Sequence, residues 1–256
     1  FFFVHKSSVG TKTFLYESGA KRSEGSMEYG VENGKWDYWW ENGNQQQTGF
    51  FKEGKQDSIW QFFDEEGTRY RTATFKNGIL HGPWTDYHPN GQISGTGLYK
   101  SGRQHGPWTF YYEDGTISQK GNFELDLAHG EWELYYPNGK LNSKGSFLKN
   151  EYTGVWTSWY ENGTKSEERE YFDADNFNIL NAWDSLGNFN VKAGNGIYKT
   201  YYVNGELQLT GSVKEGVRSG IWKSYSPQGK LREEGEFKAG KYHIINSWSY
   251  DDTPMV

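Results

Sequence analysis

The sequence predicts an all-β repeat protein: an elongated, twisted single meander of about ten consecutive β-hairpins in 24-residue units. Three observations carry this. Trp36, Trp60, Trp84, Trp108, Trp132 and Trp156 stand 24 residues apart. Gly19, Gly43, Gly67, Gly91, Gly115, Gly139, Gly163 and Gly187 keep the same step. So do Phe51, Phe75, Tyr99, Phe123, Phe147 and Tyr171. A unit this short, with glycine at several fixed places, has no room for a helix pair, and it lacks the Leu ladder of leucine-rich repeats.

The turn defines the unit. Asn138-Gly139, flanked by aromatic and aliphatic residues, reads as a two-residue type I′ hairpin turn. Such a turn sets Trp132 opposite Gly145, Gly130 opposite Phe147, Tyr136 opposite Leu141 and Glu133 opposite Lys144. Carried along the chain, the rule sets Trp36, Trp84, Trp108 and Trp222 opposite Gly49, Gly97, Gly121 and Gly235. An aromatic ring lying over a cross-strand glycine covers bare backbone and offsets its poor strand propensity. Because side chains alternate, Trp132, Leu134 and Phe147 share one face, while Glu133, Tyr135 and Lys144 share the other, polar one. The links, such as "KSGRQHG" at 100–106, are short enough to be hairpin returns. At about 4.8 Å per strand the meander would extend roughly 100 Å.

The pattern lapses once. Arg169 stands where glycine belongs, Leu180 where tryptophan belongs, and Gly205 follows Gly187 by 18 residues. The expected organisation is therefore an N-terminal repeat arm over 1–164, an irregular joint over 165–195, C-terminal repeats over 196–240 and a cap over 241–256. The joint is expected to be the weakest part of the ribbon or its bend, with its loop touching a partner.

Composition narrows the function. A net charge of −6 argues against binding a phosphate backbone, and the absence of cysteine excludes disulfides and thiolate chemistry. No apolar run is long enough to span a bilayer as a helix. The opening "FFFV" reads as the end of a trimmed export signal, the first residues of a longer protein or a strand remnant. Membrane contact is expected only through such a segment or through a partner, and an extracytoplasmic location is favoured.

"GPWTFYYEDGTISQKGNFELD" and "GIWKSYSPQGKLREEGEFKAG" resemble the variant MORN repeat, of the form G-x-W-x-x-Y-Y-x-N-G-x-L-x-x-x-G-x-F-x-x-G. The likeness covers residues 12–240. It implies a module for protein interaction or scaffolding, with no catalytic residues to carry over. Bacterial chains of this kind include antitoxins of toxin–antitoxin systems.

Within the sequence itself, few residues invite chemistry. His81, His105 and His129 recur at the 24-residue step, which places them about 10 Å apart, too far to share a metal ion. Loop hydrogen bonding is expected instead. Asp173 and Asp175 begin a calcium-like D-x-D run that lacks the glycine and closing glutamate of a calcium loop. Asp64 and Arg69 read as a cross-strand ion pair, and Glu167, Glu168 and Glu170 as a solvated edge. The expectation is a non-enzymatic scaffold with no cofactor or metal and a protein, not a nucleic acid, as partner. An antitoxin or immunity protein, or an accessory subunit of an envelope complex, is the alternative. The expected partner-binding residues are Trp39, Phe63, Tyr87, Tyr111, Tyr135 and Trp159, the aromatics on the polar face, with Asp173 and Asp175 in the joint.

Overall fold

A computed structural model describes residues 9–173, 176–238 and 240–248. They form 21 strands of one open antiparallel meander and contain no helix. "FFFV" lies outside the described residues. By contact density the chain divides into two compact units, Phe1–His129 and Gly130–Val256. The first carries β1 (Val9–Leu15), β2 (Lys21–Glu28), β3 (Val31–Trp39), β4 (Gln45–Lys52), β5 (Lys55–Phe63), β6 (Arg69–Lys76), β7 (Ile79–Tyr87), β8 (Ile93–Lys100), β9 (Arg103–Tyr111) and β10 (Ile117–Glu124). The division falls inside β11 (Leu127–Tyr135). The second unit carries β12 (Leu141–Leu148), β13 (Glu151–Trp159), β14 (Lys165–Tyr171), β15 (Phe177–Trp183), β16 (Phe189–Lys192), β17 (Asn195–Tyr201), β18 (Leu207–Lys214), β19 (Val217–Tyr225), β20 (Leu231–Lys238) and β21 (Lys241–Ser247).

The expected register holds: Trp84 opposes Gly97, Trp108 opposes Gly121 and Trp222 opposes Gly235. The turn type does not. Tyr136 N–H bonds Lys140 O at 2.8 Å and Gly139 N–H bonds Tyr136 O at 2.9 Å, so the loop has three residues and Tyr136 faces Lys140, not Leu141. This is a type I turn closed by a glycine bulge, with Gly139 at φ +77°. The bulge adds one residue to the strand after the turn, which restores the register of a two-residue loop. The type I′ turns are on the other side, at the returns: Ser101 and Gly102 have φ +53° and +83° between paired Lys100 and Arg103.

Tryptophan and glycine meet differently from the expected plate over its own hairpin partner. Between β8 and β9, Gly97 and Leu98 face four residues, His105–Trp108, so two residues bulge out of β9. Gly106 takes φ +74° in that bulge, and Pro107, with no N–H to pair, is exposed. Trp108 then lies flat over the preceding hairpin's Gly97, where a methyl group would meet the indole at 2.1 Å. The bulge frees the next carbonyl, and Trp108 Nε1 donates to Leu98 O at 3.3 Å. The same pair of contacts recurs at Trp36, Trp60, Trp156 and Trp222, each over the glycine 11 residues back and bonded to the carbonyl 10 back.

The resulting core is one ring thick. Trp84, Tyr99, Trp108 and Phe123 follow one another at centroid distances of 4.8, 5.6 and 5.9 Å. The second unit contains an aliphatic exception, in which Ile179, Ala182, Val191, Tyr198 and Val213 pack with Trp222. Three of these residues lie in the irregular segment, where β16 is four residues long.

Candidate interaction surface

The six aromatics of the polar face each end an odd-numbered strand, and all are half-buried. Long side chains from the preceding strand lie over two of them. Lys21 Nζ lies 5.0 Å from the Trp39 ring, and the Arg69 guanidinium 4.3 Å from that of Tyr87. Arg69 therefore stacks on an aromatic, while Asp64 accepts from Thr68 N–H at 2.7 Å, because the turn bulge sets Asp64 opposite Thr68 and not Arg69. The Tyr135 hydroxyl bonds Glu133, whose carboxylate also takes Lys144 at 3.0 Å. Asp173 accepts from Asn176 N–H at 2.9 Å and from its side chain. Asp175 lies outside the described residues. Of the recurrent histidines, His81 accepts from Ser101 N–H at 3.5 Å, and His129 stands 3.8 Å from Glu124.

The carbonyls of the aromatic row have a separate role. Tyr16 Oη donates to Trp39 O at 2.7 Å, Trp40 Nε1 to Phe63 O at 3.1 Å and Tyr136 Oη to Trp159 O at 2.7 Å. His88 Nε2 makes the equivalent 3.0 Å contact with Tyr111 O. A second bond runs beside three of these, the Tyr16 turn having Ser18 in place of the asparagine. The turn asparagine reaches the next turn, as in Asn42 to Glu65 O at 2.8 Å, Asn90 to Glu113 O at 2.7 Å and Asn162 to Ser185 O at 2.8 Å. Where both are present, such two-bond rungs tie a turn to the one after it along one edge of the sheet.

Two turns lack both donors. Asp64 and Glu66 hold the Tyr and Asn positions in one, and Asp184 and Leu186 hold them in the other. At the first the next turn follows at the usual step. At the second it follows after 18 residues, and the gap is a groove of about 790 Å³ lined by Tyr136, Tyr160, Glu161, Tyr202, Val203 and Leu186 among others. Leu186 is 84% exposed and Val203 fully so, the two most exposed large hydrophobic side chains among the described residues. Asn188 side-chain and backbone hydrogen bonds hold the Asp184 carboxyl below its usual range, so it is ionised at neutral pH. Burial, then Asp184, pushes the Tyr160 hydroxyl up.

Behind this edge lies a charged network that the sequence reading treated as a solvated edge. Arg169 bonds Glu167 at 2.6 Å and Tyr198 Oη at 3.1 Å, and Tyr198 Oη bonds Glu167 at 3.2 Å. The Glu167 and Glu168 side chains are only 15% and 18% exposed, because Arg169 and Lys165 draw them inward. Burial disfavours the Arg169 charge, but Glu167 outweighs it and the guanidinium is held cationic. Burial and Glu167 together push Tyr198 up to about 12. Arg169, with no tryptophan above it, lies 4.5 Å from the Phe177 ring.

The sequence reading missed Asp184, Leu186 and Val203. The signal was present: "DSLGN" at 184–188 replaces both polar donors that "YENGT" at 160–164 supplies, at the point where the step shortens.

These features define a β-hairpin repeat protein with one interrupted edge. Five segments, 80–101, 104–124, 128–149, 152–173 and 218–239, match the MORN repeat variant; the interrupted stretch is among the residues not matched. No curated protein matches the chain. Among solved structures, the crystal structure of TcdB2-TccC3 aligns at 13% identity and TM-score 0.22, over 94% of this chain and 14% of that one. A structure of the Photorhabdus luminescens Tc holotoxin pore aligns at 13% identity and TM-score 0.21, over 89% of this chain and 13% of that one.

Proposed function

We propose that the chain is a non-enzymatic protein-interaction scaffold. The observation that carries this reading is the interrupted edge, where Leu186 and Val203 stand exposed beside a groove at a turn that lacks both rung donors. Exposed branched aliphatics rimmed by tyrosines and carboxylates have the composition of an interface core with a polar rim. The MORN repeat match supports the same reading, since such repeats commonly serve as interaction modules. The buried titratable groups Glu167, Arg169 and Tyr198 bond one another, an arrangement suited to holding an edge together. An antitoxin, an immunity protein and an accessory subunit of an envelope complex would each be a scaffold in this sense, and the repeat match supports the scaffold alone. The test is recovery of a partner from the native source, then titration of the two purified proteins in a calorimeter. A stoichiometric complex is the expected result. A chain that binds no protein in reconstitution, or that turns over a substrate, would overturn it.

A further inference from the structure

We propose that the interrupted rung is a docking site for an arginine-bearing extended segment of a protein partner, the guanidinium taking the place of the two donors the turn has lost. The proposal rests on the scaffold reading and names the chemistry of its contact. In the preceding rung, Tyr160 Oη donates to Trp183 O at 2.9 Å and Asn162 Nδ2 to Ser185 O at 2.8 Å. One step on, the equivalent acceptors are Tyr201 O and Val203 O, while the equivalent donors are Asp184, a carboxylate, and Leu186, a hydrocarbon. Neither donates. The Glu161 and Asp184 side chains add negative charge, and none of the lining residues is basic. The groove thus presents acceptors and anions between apolar and aromatic walls.

Arginine fits each of these features. Its planar fork carries five donors, enough for two carbonyls and a carboxylate together. Its methylene stem can lie along Leu186 and Val203 while the head stays with the charges. Its face stacks on tyrosine rings, as Arg69 already does on Tyr87 in the first unit. Lysine offers a single point charge whose three donors diverge from one nitrogen, without the planar fork or the stacking face. The other donorless turn, Asp64 to Thr68, has the carboxylates but keeps the regular step and carries no exposed aliphatic, so it serves as an internal control.

The probe is a pentapeptide with a central arginine flanked by leucines, and a twin with citrulline, which keeps the shape and removes the charge. Each is titrated into the full chain, with the Leu186 and Val203 methyl signals read by NMR. The arginine peptide is expected to shift both sets saturably, and the citrulline twin to bind about tenfold more weakly. Equal binding of the twins, or no shift by either, overturns the proposal, and free arginine binding as tightly as the peptide overturns the segment as occupant. The double substitution Asp184→Tyr with Leu186→Asn restores both donors and should abolish the shifts at Val203 with no loss of melting temperature. Persistent binding by that folded variant counts against the site. Should the double variant fail to fold, Glu161→Gln, at an exposed position, is expected to weaken the arginine peptide several-fold and leave the citrulline twin unchanged. Unchanged arginine binding there is equally fatal. A partner that cross-links only along the aromatic row, with the peptide inert, sinks the groove and leaves the scaffold. Peptide binding by a chain that retains no protein sinks the scaffold and leaves the guanidinium chemistry.

Discussion

Ala73 is the chain's own test of what glycine does beneath a tryptophan. It occupies the position of Gly25, Gly49 and Gly97, and the tryptophan that should cover it, Trp84, does not make the usual bond. Trp84 Nε1 instead donates to Asp86 at 2.9 Å, and Arg71 lies 4.2 Å over its ring. Above that methyl group the indole bonds Asp86 in place of the backbone carbonyl. Gly97→Ala has no such acceptor, since Phe110 holds the position of Asp86. The substitution is expected to destabilise the first unit by about 1–3 kcal/mol in urea unfolding, through overpacking and a lost indole bond. A change within experimental scatter would show that the indole moves freely. Ser58 offers the opposite experiment. It holds φ +62° in the two-residue bulge where other units place glycine. Ser58→Gly should raise stability by about 1 kcal/mol, because the left-handed conformation then costs no side-chain clash; a lower urea midpoint would contradict it. The glycine periodicity was legible in the sequence. That one glycine row serves a bulge and another lies beneath a ring was not, because both reasons leave the same letter.

At the scale of the element, register was readable and turn chemistry was not. Asn-Gly and Asp-Gly signal a type I′ turn, yet in Asn138-Gly139 the same pair closes a type I turn with a bulge, and both choices give the same distant pairings. Sequence patterns constrain which faces meet more tightly than how the chain reverses. The network on β14 was hidden for a similar reason. Three glutamates in four residues resemble a solvated run until Arg169 and Tyr198 are seen between them. Glu167→Gln leaves Arg169 partly buried without its charge partner. It should lower the stability of the second unit by about 2 kcal/mol, less than for a fully buried pair because both side chains retain some water. Stability after that substitution equal to the parent's would remove the network from the account. The same network sets an alkaline limit. Tyr198 keeps its proton to about 12 when folded, against roughly 10 when unfolded, so above pH 10 the folded chain holds a proton the unfolded chain has lost. Its contribution is intact below about pH 10 and disappears as the pH rises to about 12. Tyr198→Phe should flatten the fall of unfolding free energy with pH across that window, measured by urea titration at each pH.

At the scale of the whole chain, a repeat protein is stabilised by contacts between neighbours, so the place where repeats lapse should set local stability. From sequence alone, 165–195 was expected to be weakest, since tryptophan, glycine and spacing fail together there. The packing supplies a reason to expect otherwise. Ile179, Ala182 and Val191 are at most 2% exposed and join Tyr198, Val213 and Trp222 in an aliphatic-rich cluster of the second unit. Glycine contacts reinforce it, with Ile179 N–H bonding Gly216 O at 2.8 Å and Gly216 N–H bonding Gly194 O at 2.9 Å. The regular repeats have rings one layer thick, whereas this segment has a small core closed by backbone bonds outside the strand ladder. What the lapse removes is the rung at the turn edge, not the packing beneath it. Hydrogen exchange followed by mass spectrometry separates the two accounts. Amides of 177–182 and 189–192 are expected to exchange as slowly as those of 103–111, while 184–188 and 202–206, on either side of the missing rung, exchange fast. β21, exposed along nearly its full length, should also be fast. Rapid exchange across all of 165–195 would restore the sequence-based expectation. Slow exchange at 184–188 would mean that the turn edge is sealed in solution by contacts other than the rung, and the groove would then be closed to a partner.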